Sequence, residues 1–461
     1  GTIKLDGNYP TGTGNVALGD TALDSLTSGG GNTAIGGESL TANTSASGNS
    51  ALGYRTLCVN ITGADNTAMG RQALRNNETG DNNVAVGRNA MEANTTADNN
   101  TAVGFESLKA NTTGTPNTAF GNKALISNTT ASNNTAVGNQ ALCKNETGAT
   151  NTAIGGNSLC ANVSGTGNSA IGYDSLLLNR ADNNTAIGLN AMRATTTGGS
   201  NTAVGAEALC ANETGVNNTA VGQVALKKIT TNNNTAVGVQ AGACTTSGFA
   251  TAVGYRAMKA NTTSSGSTAM GYEAMCSITS GGNNSAFGLN ALATVTSNGG
   301  NTAVGRDALK TNTGSNNTAI GWQSLYTNGT ANSNVAVGTS ALYQNTASHN
   351  VAVGQQALCL NTTGSCNTAM GYQVADNITT GANNTFIGYH AGDGLTTGSD
   401  NTGVGCNAMG TNAMTGSFNS SLGANALQKV TSGDQNTGMG DGAGLCVTTG
   451  SNNLLLGKQT G

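Results

Sequence analysis

A short alternation of apolar and polar residues recurs from residue 15 to the end of the chain. The clearest copy, residues 217–222, reads Asn-Asn-Thr-Ala-Val-Gly, and 27 copies end on a glycine that follows Val, Ile, Leu, Met or Phe. The first ten of these glycines are 17 residues apart, and later spacings are 16 to 18. A fixed short period predicts a repeat architecture in which each coil stacks on the next.

Each position within a coil, counted from that glycine as position 0, has a narrow residue choice. Position −4 is Asn in 25 of the 27 coils, −3 is mostly Thr, Val or Ser, −2 is mostly Ala, and +4 is Leu or Met in 22. Alternating Thr and aliphatic residues favour a strand, the glycine permits a bend, and a later Asn-Thr-Thr-Gly cluster is typical of a turn. The pattern predicts a strand, a bend, a second extended segment around Ala-Leu and a return turn. The predicted fold is all-β, a parallel β-solenoid of about 27 coils of 16–18 residues.

The alternation also predicts which side chains face the interior. Positions −3 and −1 share one face of a strand and −2 lies on the other. Because −3 and −1 carry the larger apolar residues, we expect them to point inward and Val221 to be buried. The alanines at −2 would then face outward and pack against another copy of the chain. The predicted oligomer interface is Ala68, Ala85, Ala102, Ala119, Ala136 and Ala153.

Two domains are predicted along the chain. Residues 1–14 form an N-terminal cap or an atypical first coil, and residues 15–461 form the solenoid. Near residue 385 the Ala at −2 gives way to Phe386, Gly403 and Ser421, and Leu is lost at +4. We expect the cross-section or the partner contacts to change there.

Composition and charge limit the classes of partner that the chain could bind. Only 9% of the 461 residues are charged, the net charge is −4, and no charge falls between −4 and 0 in any coil. There is no basic run, which argues against nucleic acid, and no apolar stretch long enough to span a membrane. The strict apolar period argues against disorder. The chain begins without Met, which suggests a processed product or a piece of a longer chain.

Cysteines and aromatic residues each recur at one position. Six of the ten cysteines lie at +5, and Cys143 and Cys160 are in adjacent coils, close enough for a disulfide. Free or half-buried thiols are the alternative. Aromatic residues recur at +1, where they either contact glycans or proteins or cover a neighbouring subunit edge. These candidate surface contacts are Tyr54, Tyr173, Tyr255, Tyr272, Trp322 and Tyr372.

The polar columns are interpreted as structural. Asn residues at −4 and at +7 can form ladders of stacked amides from coil to coil. Thr columns are typical of ice-binding solenoids, but Val replaces Thr at −3 in several coils, which favours an inward position. Sequons such as those at Asn77, Asn94, Asn145 and Asn212 are candidate glycan sites. We find no catalytic set, no cofactor motif and no metal-ligand spacing, and we predict that the chain is not an enzyme.

The repeat resembles the heads of YadA-like trimeric autotransporter adhesins, and its longer form, with AsnThrAlaValGly, AlaLeu and AsnThrThrGly, is similar to repeats of phage-type tail fibres and surface fibres. The resemblance covers residues 15–461. It implies a left-handed β-roll, a homotrimeric rod, and attachment to a host glycan or matrix protein from an extracellular, cell or virion surface. YadA-like heads have shorter coils of about 14 residues and fewer cysteines, and continue into a neck, a coiled coil and an anchor not found here. The alternatives are a self-polymerising filament subunit and a monomeric ice- or surface-binding solenoid.

Overall fold

The computed structural model describes residues 12–410 and 413–461 and is an all-β parallel solenoid. Within those residues every regular element is a strand, and each coil contributes one short strand to a stacked sheet. The chain divides into two compact units, Gly1–Asn233 and Asn234–Gly461. Residues 1–11 of the predicted N-terminal cap lie outside the described residues.

The N-terminal unit contains a parallel sheet with one strand from each coil. Register is strict: in β6 and β7, Thr101 pairs with Thr118 and Ala102 with Ala119. The strands are β1 Val16–Leu18, β2 Thr33–Ile35, β3 Ser50–Leu52, β4 Thr67–Met69, β5 Val84–Val86, β6 Thr101–Val103, β7 Asn117–Phe120, β8 Asn134–Val137, β9 Thr152–Ile154, β10 Ser169–Ile171, β11 Thr185–Ile187, β12 Thr202–Val204 and β13 Thr219–Val221.

The C-terminal unit repeats this arrangement and adds a second pairing. Its short strands β19 and β21 pair with each other outside the main sheet. The strands are β14 Thr235–Val237, β15 Thr251–Val253, β16 Thr268–Met270, β17 Ser285–Phe287, β18 Thr302–Val304, β19 Thr311–Asn312, β20 Thr318–Ile320, β21 Thr327–Gly329, β22 Val335–Val337, β23 Val351–Val353, β24 Thr368–Met370, β25 Thr385–Ile387, β26 Thr402–Val404, β27 Ser420–Leu422, β28 Thr437–Met439 and β29 Leu454–Leu456.

The strands face the opposite way from the prediction. Position −2 points into the coil and positions −3 and −1 point out, so Val221 is 36% exposed rather than buried. The predicted interface alanines are each 0% exposed within a single chain, which leaves no surface for a second copy to contact. The prediction that these alanines face outward is therefore wrong for all six: Ala68, Ala85, Ala102, Ala119, Ala136 and Ala153.

Two ladders of buried asparagines explain this orientation. At −4, the Asn66 backbone N–H donates to Asn49 Oδ1 at 2.9 Å, and the Asn66 side-chain amide donates to the Gly80 carbonyl at 2.8 Å. At +7, Asn77 donates to Asn60 Oδ1 at 2.8 Å and to the same Gly80 carbonyl at 2.9 Å. The predicted amide stacking is therefore confirmed. Because −4 is inside, −2 must be inside as well.

The interior between the ladders is narrow. Alongside Ala at −2, each typical coil buries a small residue at +3 and Leu or Met at +4, for example Ala85, Ala90 and Met91, all 0% exposed. A larger residue at −2 would meet these side chains, so the restriction to Ala comes from packing within one chain.

The segment after the strand is a series of tight turns rather than a second extended segment. Positions +2 and +4 have left-handed backbone, with φ of 62° at Gln72 and 49° at Leu74. Such φ values are uncommon for a residue like Leu. They persist because the turns stack: the Leu74 N–H donates to the Ala90 carbonyl of the next coil at 3.0 Å.

Glycine at position 0 is required by backbone crowding. Gly70 has φ of 121°, and a Cβ there would lie 2.8 Å from the carbonyl oxygen of Gly87 in the next coil. Any larger residue would force adjacent coils apart.

The core changes composition near residue 385. Phe386 takes the place of Ala at −2 and is 1% exposed. A Cβ at either Gly392 or Gly403 would lie 2.6 Å from its ring, so these two glycines provide the space that the phenylalanine fills. At +7, Ile378, Leu395 and Val430 are buried apolar residues in place of Asn, as Ile229, Ile278 and Val295 are in earlier coils. In this part of the core the ring of Phe386 thus fills the space that several side chains fill in other coils.

The orientation of the strands can be tested with two adjacent residues of β9. Ala153 is 0% and Ile154 is 38% exposed. We expect Ala153→Asp to destabilise the fold by about 3–5 kcal/mol, because it buries an unpaired charge. For the dissociated single chain, Ile154→Asp should cost less than about 1 kcal/mol of folding free energy, because no residue of the same chain covers the carboxylate and it remains in water. Chemical denaturation followed by circular dichroism measures both, and the reverse order would restore the original assignment of faces.

Candidate interaction surface

The outward strand face presents an apolar column that we call the outer column, defined as the residue at −1 in every coil. In all 27 coils this residue is Val, Ile, Leu, Met or Phe. In the N-terminal unit, members exposed by 36–56% are Leu52, Met69, Phe120, Ile154, Ile171, Ile187 and Val221. In the C-terminal unit, members exposed by 37–57% are Val237, Met270, Phe287, Val304, Ile320, Met370, Ile387, Leu422, Met439 and Leu456.

A second column, mostly Thr, lies beside it. Position −3 shares the outward face, and its threonines are half-buried, as in Thr101, Thr185 and Thr302. Since strands are in register, each such Thr lies beside a Thr, Val or Ser of the adjacent strand. The outward sheet face is therefore regular, uncharged and half apolar.

The predicted surface aromatics at +1 are exposed. Exposure is 45% for Tyr54, 56% for Tyr173 and 50% for Trp322. The rings of Tyr255 and Tyr272 stack with centroids 5.0 Å apart. The ring of Tyr372 stacks on that of Tyr389, another aromatic residue at +1, with centroids 5.6 Å apart.

Arginines cover several of these rings. The guanidinium of Arg256 lies 5.0 Å from the Tyr255 ring centroid, and that of Arg88 lies 5.8 Å from that of Phe105. Position +1 immediately follows the glycine that ends the strand, and it combines aromatic area with charge. Aromatic residues and Arg are enriched in protein interfaces relative to the rest of the surface.

Charged residues form ion pairs between turns. At +5 in three successive coils, Glu92 lies 3.6 Å from Arg75 and 3.8 Å from Lys109. These pairs are partly exposed and contribute little to stability individually. They show that the +5 side of these three coils faces water.

Cys143 and Cys160 are joined in a disulfide between adjacent coils. Other +5 cysteines are free thiols, and burial raises the pKa of Cys58, Cys210 and Cys359 above the ordinary cysteine value. A raised pKa leaves less of the reactive thiolate. These three thiols are therefore suited to packing rather than to nucleophilic chemistry.

Residues 12–410 and 413–461 contain neither a membrane-spanning helix nor a cluster of metal-ligating side chains. No helix there is long and apolar enough to cross a membrane. No group of three or more His, Cys, Asp or Glu side chains there is arranged to hold a metal ion.

The residues of the outer column were predicted to be buried because they are the largest apolar residues of the strand. The sequence does, however, contain a pattern that indicates their outward orientation. Asn fills −4 in nearly every coil, and stacked amides form ladders only where water is excluded. Positions −4 and −2 lie on one face, so the Asn pattern favours inward alanines.

The sequons provide a test of the +7 ladder. Asn77, Asn94, Asn145 and Asn212 are each 0% exposed, and each side-chain amide donates to the carbonyl three residues later. A glycan there would remove the ladder bond and could not fit inside the coil. After expression in a eukaryotic secretory host, mass spectrometry should find these four asparagines unmodified in the folded fraction. A glycan on Asn94 of folded protein would contradict the ladder.

The chain matches no protein-family model, and comparison with curated proteins gives no match either.

Proposed function

We propose that the chain is an extracellular structural and adhesive fibre whose copies associate through the outer column into a homotrimer. One observation carries the proposal: a water-facing position is apolar in every coil and never charged, while charges are common elsewhere on the coil. Surface positions of a monomer do not exclude Lys and Glu so consistently, and a long apolar stripe on a soluble protein is typical of an interaction site.

The energetics favour association through many coils at once. Burying the exposed part of one −1 side chain contributes on the order of 1 kcal/mol. Association costs roughly 4–15 kcal/mol in lost freedom of motion, so a few coils are insufficient, whereas the outer column as a whole exceeds this cost. An interface of this kind needs the same register in each chain, which the regular spacing of the strands provides.

The number of copies and the adhesive role rest on the resemblance to trimeric adhesin heads and fibre repeats. Three outward faces can enclose a common apolar axis and leave the charged turns in water. The aromatic residues at +1 then lie at the rim of the interface, and those left exposed are available to a host glycan or matrix protein. The intercoil disulfide is compatible with an extracellular setting.

A monomeric ice- or surface-binding solenoid is the second candidate, and one observation favours it. Thr at −3 faces outward in a regular array, such as Thr101, Thr185 and Thr302, rather than inward. Bulky members of the outer column, including Met69 and Phe120, interrupt the flatness that such a surface needs. Thermal hysteresis in a monodisperse monomer would select this candidate over the fibre.

The association can be tested with three outer-column residues in successive strands. We expect the combined variant Ile154→Glu, Ile171→Glu and Ile187→Glu to weaken association at least about a hundredfold, because charges cannot be buried between apolar faces. Sedimentation velocity measures the change, and circular dichroism should show that the solenoid remains folded.

The matched control places three glutamates in successive exposed turns, Thr113→Glu, Thr130→Glu and Thr147→Glu. It adds the same charge in the same unit and should sediment like the unmodified protein. Equal behaviour of the two triple variants, whether both associate or both dissociate, would exclude the outer column as the interface.

A further inference from the structure

Two carboxylates face each other in the C-terminal unit, at the +5 position of successive coils. Asp376 follows β24 and Asp393 follows β25. By contrast Glu92, which also lies at +5, is placed between the cations Arg75 and Lys109. An acid beside an acid is a different arrangement, because two negative charges in adjacent coils repel each other.

A single amide holds the two carboxyl groups together. The Asn377 side-chain nitrogen lies 3.0 Å from Asp376 Oδ1, 3.0 Å from Asp393 Oδ1 and 2.9 Å from the Asp393 carbonyl oxygen. Both carboxyl groups therefore converge on one donor, and the contact joins one coil to the next.

The neighbouring groups supply little positive charge. His390 Nδ1 lies 3.1 Å from Asp393 Oδ2, and the rings of Tyr372 and Tyr389 pack against the imidazole. The +5 position of the preceding coil is Cys359 and that of the following coil is Gly410. Among the described residues, no Lys or Arg forms an ion pair with either aspartate.

We propose that Asp376 and Asp393 form a proton-dependent joint between the coils of β24 and β25, closed when the pair shares a proton and loosened when both carboxyls are ionised. With the proton bound, one carboxyl donates to the other. On loss of the proton to water, that hydrogen bond is replaced by repulsion between two carboxylates.

The expected direction with pH follows from linkage. Burial, with the hydrogen bond and charge of Asp393, raises the pKa of Asp376 to about 8, above its ordinary value. A group that binds its proton more tightly when folded stabilises the fold fully below its unfolded pKa and loses that contribution as pH rises through the folded pKa. The joint is therefore closed in acid and opens towards pH 8 and above.

Hydrogen exchange at individual amides measures the joint directly. The Ala375 N–H donates to the Ala391 carbonyl and the His390 N–H donates to the Tyr372 carbonyl, both between the two coils. After correction for intrinsic exchange, we expect their protection to fall at least about tenfold between pH 5 and pH 9. The Leu74 and Met91 amides, which bridge coils around Glu92, should change little.

Variants distinguish the joint from general alkaline loosening. Asp376→Asn keeps a donor towards Asp393 but cannot ionise, so protection at Ala375 and His390 should become independent of pH and equal the acid value of the unmodified protein. Asp393→Asn removes the repulsion but leaves Asp376 buried and able to ionise, so it should reduce the pH dependence, and it serves as the second test if the first variant folds poorly. Cys359→Ser should retain the pH dependence, which excludes the thiol as its source.

The proposal is overturned by either of two results. Protection at Ala375 and His390 that does not change with pH in the unmodified protein would show that no joint exists. A pH dependence that persists in both Asp376→Asn and Asp393→Asn would assign it to other groups. Neither result bears on the oligomeric state.

Discussion

The buried asparagine ladder at −4 is the interaction on which the rest of the structure depends. Where −4 is Asn, the side chain links its coil to the neighbouring coil and in most coils also to a turn carbonyl, as Asn66 does, which holds adjacent coils in register. Losing one amide would leave buried partners unsatisfied on both sides. Because −4 must be inside, the parity of the strand places Ala inside at −2 and the larger apolar residues outside.

The core is thin as a result. It consists of alanines, a single Leu or Met and two amide columns, with backbone hydrogen bonds between adjacent coils within each unit. The tight turns at +2 and +4 and the glycine at 0 allow the coils to approach closely enough for these bonds. Phe386 shows how little space remains, since it is accommodated only where Gly392 and Gly403 lack side chains. A chain built in this way leaves much of its apolar area on the outer face.

Much of this fold follows from the sequence. The error in assigning the inward and outward faces of the strands has a physical origin. The period, the strand positions, the amide ladders and the adjacency of Cys143 and Cys160 are all local consequences of spacing. The assignment of faces was wrong because it used side-chain size alone and ignored that −4 and −2 share a face. The left-handed turns at Gln72 and Leu74 could not be predicted, because propensity disfavours them and stacking between coils enforces them. The acid pair at Asp376 and Asp393 was missed because it lies across two coils and no motif marks it.

The central claim is that the outer column is covered by other copies of the same chain. The most direct measurement is the molar mass of the unmodified protein by light scattering over a wide range of concentration. The proposal predicts a constant mass of three times the 45.3 kDa chain mass, maintained on dilution. A folded, soluble protein that retains a mass of 45.3 kDa at every concentration would contradict it.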